Sequence, residues 1–191
     1  MASAASPPPR MPPKERVRNL VADAIHDFGQ RDRGLLGGTM PEKASEPLPL
    51  YAIDLAALGE PNGALQVHQV GWRSLLLTPL GGARSADVRE TGGELDFGHF
   101  ARGASVDRMV EAGGLLDEHL GDRDGKVGVI ESDSLRLAAL WDQPSGLVVP
   151  FLGLEARIMS SADFEAEVLN RAAAMRAARG EEDQRPQSDP A

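Results

Sequence analysis

The sequence predicts an α+β fold: a mainly antiparallel sheet of about five to six strands, with a middle helix and a C-terminal helix packed on it, plus an amphipathic N-terminal helix. Three observations lead there. From Leu48 to about Ile158 the chain carries short, dense apolar segments separated by Gly, Pro and Asp. On either side of that stretch lies one segment with apolar residues at helical spacing. The outermost residues are rich in Pro, Ala, Ser or charge and offer nothing to bury. The organisation expected is a disordered tail (1–12), an amphipathic helix (13–28), a linker (29–47), an α+β domain that includes the C-terminal helix (48–179) and a second disordered tail (180–191).

The N-terminal helix is read from Val17, Leu20, Val21, Ala24, Ile25 and Phe28, which recur at steps of three and four and form one apolar stripe. Pro12 and Pro13 suit a first helical turn, where the missing N–H has no intrahelical partner. Gly29 is a natural stop. The following stretch to Pro47 is punctuated by Gly34, Gly37, Gly38 and Pro41, the signature of a linker.

The core begins at Leu48, where Tyr51 and Ile53 favour a strand. Pro61-Asn62-Gly63 marks a turn. Leu65, Val67 and the run from Val70 to Leu80 read as extended, with Gly71 a candidate bulge or break. Residues 83–104 lack a clear period, although Gly92-Gly93 signals a hairpin turn before Leu95, Phe97 and Phe100. Ser105 is a good N-cap for the middle helix to about Leu120, which Gly113-Gly114 weakens and threatens to split. Val127 with Val129, then Leu135 to Trp141, then Leu147 to Leu152, suggest three strands joined by turns. Ser160-Ser161-Ala162-Asp163 is a capping-box pattern that opens the C-terminal helix.

Composition removes several function classes. There is no cysteine, so thiolate metal sites, disulfides and cysteine nucleophiles are excluded. That usage fits a reducing, cytoplasmic setting, and the Gly, Ala, Arg, Asp and Leu usage resembles that of a GC-rich bacterial genome. No stretch approaches the roughly 18 consecutive apolar residues of a membrane span. The net charge is −9, and residues 48–158 hold 16 acidic against 9 basic side chains. An acidic core repels a phosphate backbone, so neither nucleic acid nor membrane is an expected partner.

Candidate chemistry is sparse. His68, Asp96 and His99 form the best candidate metal set, because imidazole and carboxylate suit zinc or ferrous iron and an Asp–His pair suits general-base work. Leu120 to Glu131 partly follows the register of an EF-hand calcium loop, through Asp122, Asp124, Gly125 and Glu131. Its first position is Leu120, which has no side-chain oxygen, so the segment reads as an Asp-Gly turn leading into a strand. None of the glycine pairs has phosphate-loop spacing, and no G-x-S-x-G occurs. Trp72 and Trp141 read as sheet-face packing.

These readings favour a non-catalytic protein-interaction or assembly module with no cofactor, engaging a protein partner or a second copy. The stripe of Val17, Leu20, Val21, Ile25 and Phe28 must be covered by something. It either folds back on its own sheet or docks on a partner. The alternatives are a small metal-binding or hydrolase-like enzyme using His68, Asp96 and His99, and a small-ligand-binding regulatory domain with an apolar pocket between sheet and helix.

Overall fold

A computed structural model of the chain describes residues 13–31, 41, 43–59, 64–78, 82–121 and 126–183. The fold is α+β. The chain forms two compact units, Met1–Pro47 with Gly71–Ala101, and Leu48–Val70 with Arg102–Ala191.

The first unit holds helix α1 (Pro13–Arg31) and strands β1 (Lys43–Ala44), β4 (Ala83–Thr91) and most of β3 (Val67–Leu77) and β5 (Glu94–Arg102). Antiparallel β3 and β4 pair from Gly71↔Arg89 to Leu77↔Ala83. Residue Gly71 is an uninterrupted part of that ladder rather than a break. A Cβ there would lie 2.1 Å from the Val88 carbonyl oxygen, so the close strand approach needs glycine. Strands β4 and β5 are joined by Gly92-Gly93, both at positive φ (61° and 82°), the two-residue turn that matches strand twist. α1 packs on β4, and Val17 and Val21 enter a core with Leu76, Ala86, Val88 and Leu95. The stretch expected as a linker contributes β1, which pairs antiparallel with β3 through Lys43↔Leu77 and Ala44↔Leu76. Ser45 extends the contact: its N–H donates to the Leu75 carbonyl at 2.7 Å and its Oγ accepts the Leu75 N–H at 2.9 Å.

The second unit holds β2 (Leu48–Ile53), β6 (Val127–Ser132), β7 (Leu137–Asp142), β8 (Leu147–Leu152) and β9 (Met159–Ser160), with helices α2 (Ala104–Leu120) and α3 (Ser161–Asp183). β2 pairs parallel with β6, and the remaining ladder β6–β7–β8–β9 is antiparallel. Helix α3 covers the face carrying Ile130, Leu137, Ala139 and Val148 with Phe164, Val168 and Ala172. α2 packs on β7 and β8, burying Val106, Met109, Ala112 and Leu116. Consecutive residues of β7 and β8 are therefore buried, which explains runs such as Leu137-Ala138-Ala139-Leu140 without polar alternation.

Two local expectations are corrected. Gly103 (φ 101°), not Ser105, caps α2, and the helix continues unbroken through Gly113-Gly114. Burial of Met109, Ala112 and Leu116 on either side outweighs a cost of about 1 kcal/mol per glycine. Half of the capping box read at α3 forms: Ser160 Oγ accepts the Asp163 N–H at 3.1 Å, while the Asp163 carboxylate accepts from the Ser160 hydroxyl at 2.7 Å.

Nine strands form among the described residues, more than the five to six expected. β1 and β9 are two residues long, and β4 has no apolar alternation to betray it. Its buried positions are Ala83, Ser85, Ala86, Asp87 and Val88.

Candidate functional site

The structure places the residues named from sequence as a metal set on two strands. Asp96 and His99 lie on β5 in the first unit, whereas His68 lies on β3 in the second, and all three are exposed. Among the described residues, no group of three or more His, Asp or Glu side chains is placed to hold a metal ion. The structure sets Asp87, rather than Asp96, beside His99: Nε2 lies 3.8 Å from the Asp87 carboxylate. Asp122 to Gly125 of the calcium-like loop lie outside the described residues, and Val127–Ser132 after them is strand.

Asp87 is the centre of a buried polar arrangement in the first unit. It sits on β4 directly opposite Arg73 on β3 and is wholly buried. Arg73 Nε and Nη2 donate to its two carboxylate oxygens at 2.7 and 2.6 Å. This parallel fork is the strong geometry for a guanidinium and a carboxylate. His99, with its side chain 54% exposed, approaches the pair at a distance suited to an ion pair and too long for a hydrogen bond. The arrangement is suited to tying strands together.

β5 carries the second feature. Phe97 and Phe100 have ring centroids 4.7 Å apart, and each meets Phe28 of α1, at 5.9 and 5.6 Å. Residues three apart on a regular strand face opposite sides. That both rings reach Phe28 shows that β5 does not alternate strictly between them. Gly98 lies within that irregular stretch, where a Cβ would come within 3.2 Å of the Asp87 carbonyl oxygen.

The five stripe residues of α1 are divided in their roles. Val17 and Val21 are fully buried and unavailable to a partner, because apolar residues of β3, β4 and β5 already shelter them. Leu20 and Ile25 are half-buried on the same core. Phe28 remains 38% exposed, with its ring against Phe97 and Phe100. On the polar side of the same helix, Arg18 donates to Glu46. That hydrogen bond holds the Glu46 carboxyl below its ordinary value and raises the Arg18 guanidinium.

Sequence reasoning named Phe28 but missed Arg73 and Asp87. They are 14 residues apart, and only the β3–β4 register makes them neighbours.

No helix among the described residues is long and apolar enough to cross a membrane. Compared with known proteins, the chain matches no family model, no curated protein and no solved structure.

Proposed function

We propose that this chain is a non-catalytic protein-interaction or assembly module whose docking patch in the first unit is Phe28, Phe97 and Phe100. One observation carries the reading. The chain has five phenylalanines, and three of them meet at a surface. The other two, Phe151 and Phe164, are 4% and 1% exposed in the second unit. Aromatic side chains supply most of the energy at recognition surfaces, because they bury a large rigid area at low entropic cost. A chain this poor in aromatics that leaves Phe28 38% exposed beside two partly buried rings has an apolar anchor to offer a partner. The partner is a protein or a second copy, since a chain of net charge −9 repels nucleic acid.

Affinity capture from the native host tests this, with the full chain as bait beside Phe28→Ser and Phe100→Ala variants. A specific partner should be retained by the wild type and lost, by about tenfold or more, with either variant. Melting curves must show both variants folded. Equal recovery by wild type and variants would remove the aromatic patch from consideration.

A further inference from the structure

The second unit contains a cavity of about 140 Å³ between its sheet and the first turns of α3. Ile130, Trp141, Val148 and Phe164 form most of its wall, and Ser161 and Glu165 supply its polar groups. The volume matches that of an apolar cavity of roughly 150 Å³, which admits a benzene-sized guest.

The two polar groups differ in what they leave open. Ser161 Oγ already donates to the Gly146 carbonyl at 2.7 Å. Glu165 uses Oε1 to accept the Leu65 N–H at 2.7 Å. Its Oε2 has no hydrogen bond among the described residues, and no Lys, Arg or His described there pairs with the carboxylate. A carboxylate is thus set on the wall of a mostly apolar, partly open pocket, with no counter-charge on it among the described residues. Trp141 adds an indole ring, the best of the aromatic faces for a cation.

We propose that this cavity binds a small organic ammonium ion with a compact apolar body. The alkyl part replaces water against Ile130, Val148 and Phe164. The ammonium donates to the free Glu165 oxygen and sits beside the Trp141 ring. A neutral guest of the same shape leaves the carboxylate without its counter-charge, and an anion is repelled by it. The net charge of −9 raises the local concentration of cations around the protein.

The test is titration of the full chain with isobutylammonium, isobutanol and isobutyrate, followed by calorimetry and by the Trp141 indole and Val148 methyl resonances. Isobutylammonium should shift those resonances saturably and bind about tenfold more tightly than isobutanol, with isobutyrate inert. Glu165→Gln keeps an oxygen for the Leu65 N–H, so the fold is retained while the charge is lost. It should weaken isobutylammonium about tenfold and leave isobutanol unchanged. Glu167→Gln, a change on the same helix outside the cavity, should have no effect. Equal affinity for the alcohol and the ammonium, indifference to Glu165→Gln, or no saturable shift up to about 50 mM would each overturn the proposal.

Discussion

Arg73 and Asp87 face each other across β3 and β4 and share two parallel hydrogen bonds, at 2.7 and 2.6 Å, with the carboxylate wholly buried. Removing the acid alone takes two charge-assisted hydrogen bonds from a mostly buried guanidinium. Asp87→Ala should therefore cost about 3 kcal/mol in urea unfolding. Replacing both partners by Leu and Met should cost much less, because no charge is then stranded. A loss below about 1 kcal/mol for the single change would mean that solvent reaches the pair freely.

Two glycines with positive φ separate conformational strain from steric clash. Gly82 (φ 94°) has open space where a Cβ would be, whereas at Gly153 (φ 82°) a Cβ would lie 2.2 Å from the Arg136 carbonyl oxygen. Gly82→Ala should cost about 1 kcal/mol, from backbone conformation alone. Gly153→Ala should cost about 3 kcal/mol, since backbone must also move. Similar losses at both sites would show that the chain near Arg136 yields easily.

The first turn of α3 depends on Ser160, whose hydroxyl accepts the Asp163 N–H and donates to its carboxylate. Ser160→Ala should lower stability by about 1 kcal/mol, and Ser160→Asp should recover much of it. Thermal unfolding of the three proteins side by side measures this.

Acid should act on the Arg18–Glu46 pair. The Arg18 hydrogen bond holds the folded Glu46 carboxyl below its ordinary value of 4.5. A carboxylate depressed in the folded state contributes fully above its unfolded value, and its contribution disappears as pH falls through the folded one. Wild type should exceed Glu46→Gln in stability near neutral pH, and the two curves should converge in acid once the pH has fallen through the lowered folded-state value of Glu46. Both side chains are more than half exposed, so the gap is small and should shrink in high salt.

At the centre of the second unit's core lies Phe164, in contact with the cluster that includes Ile130, Leu137, Val148 and Val168. Phe164→Ala should destabilise by about 4 kcal/mol. The same change removes one wall of the Glu165 cavity, so it also serves as a check on ligand binding.

Where burial wrote a period into the chain, the fold was legible. α1 was visible in Val17, Leu20, Val21, Ala24 and Ile25, and α3 in its capping box. β6, β7 and β8 were visible as apolar runs between turns. β4 was not, because apart from Val88 its buried residues are Ala, Ser and Asp, which no hydropathy pattern marks as interior. The candidate site was less legible still. His99 was noticed, but its neighbour in sequence, Asp96, is not its neighbour in space.

The sequence by itself determined that an α+β chain would form, that α1 would present one apolar stripe, and that cysteine chemistry was closed to it. Those properties reside in residue type and short-range spacing. Tertiary structure alone decided which stripe residues are sealed and which stay open, that Asp87 rather than Asp96 meets His99, and that a carboxylate lines an apolar cavity. Each of these depends on strand register and on how a helix seats against a sheet. Contacts between residues 14 or more positions apart are set by that seating, and no local pattern in the chain encodes them.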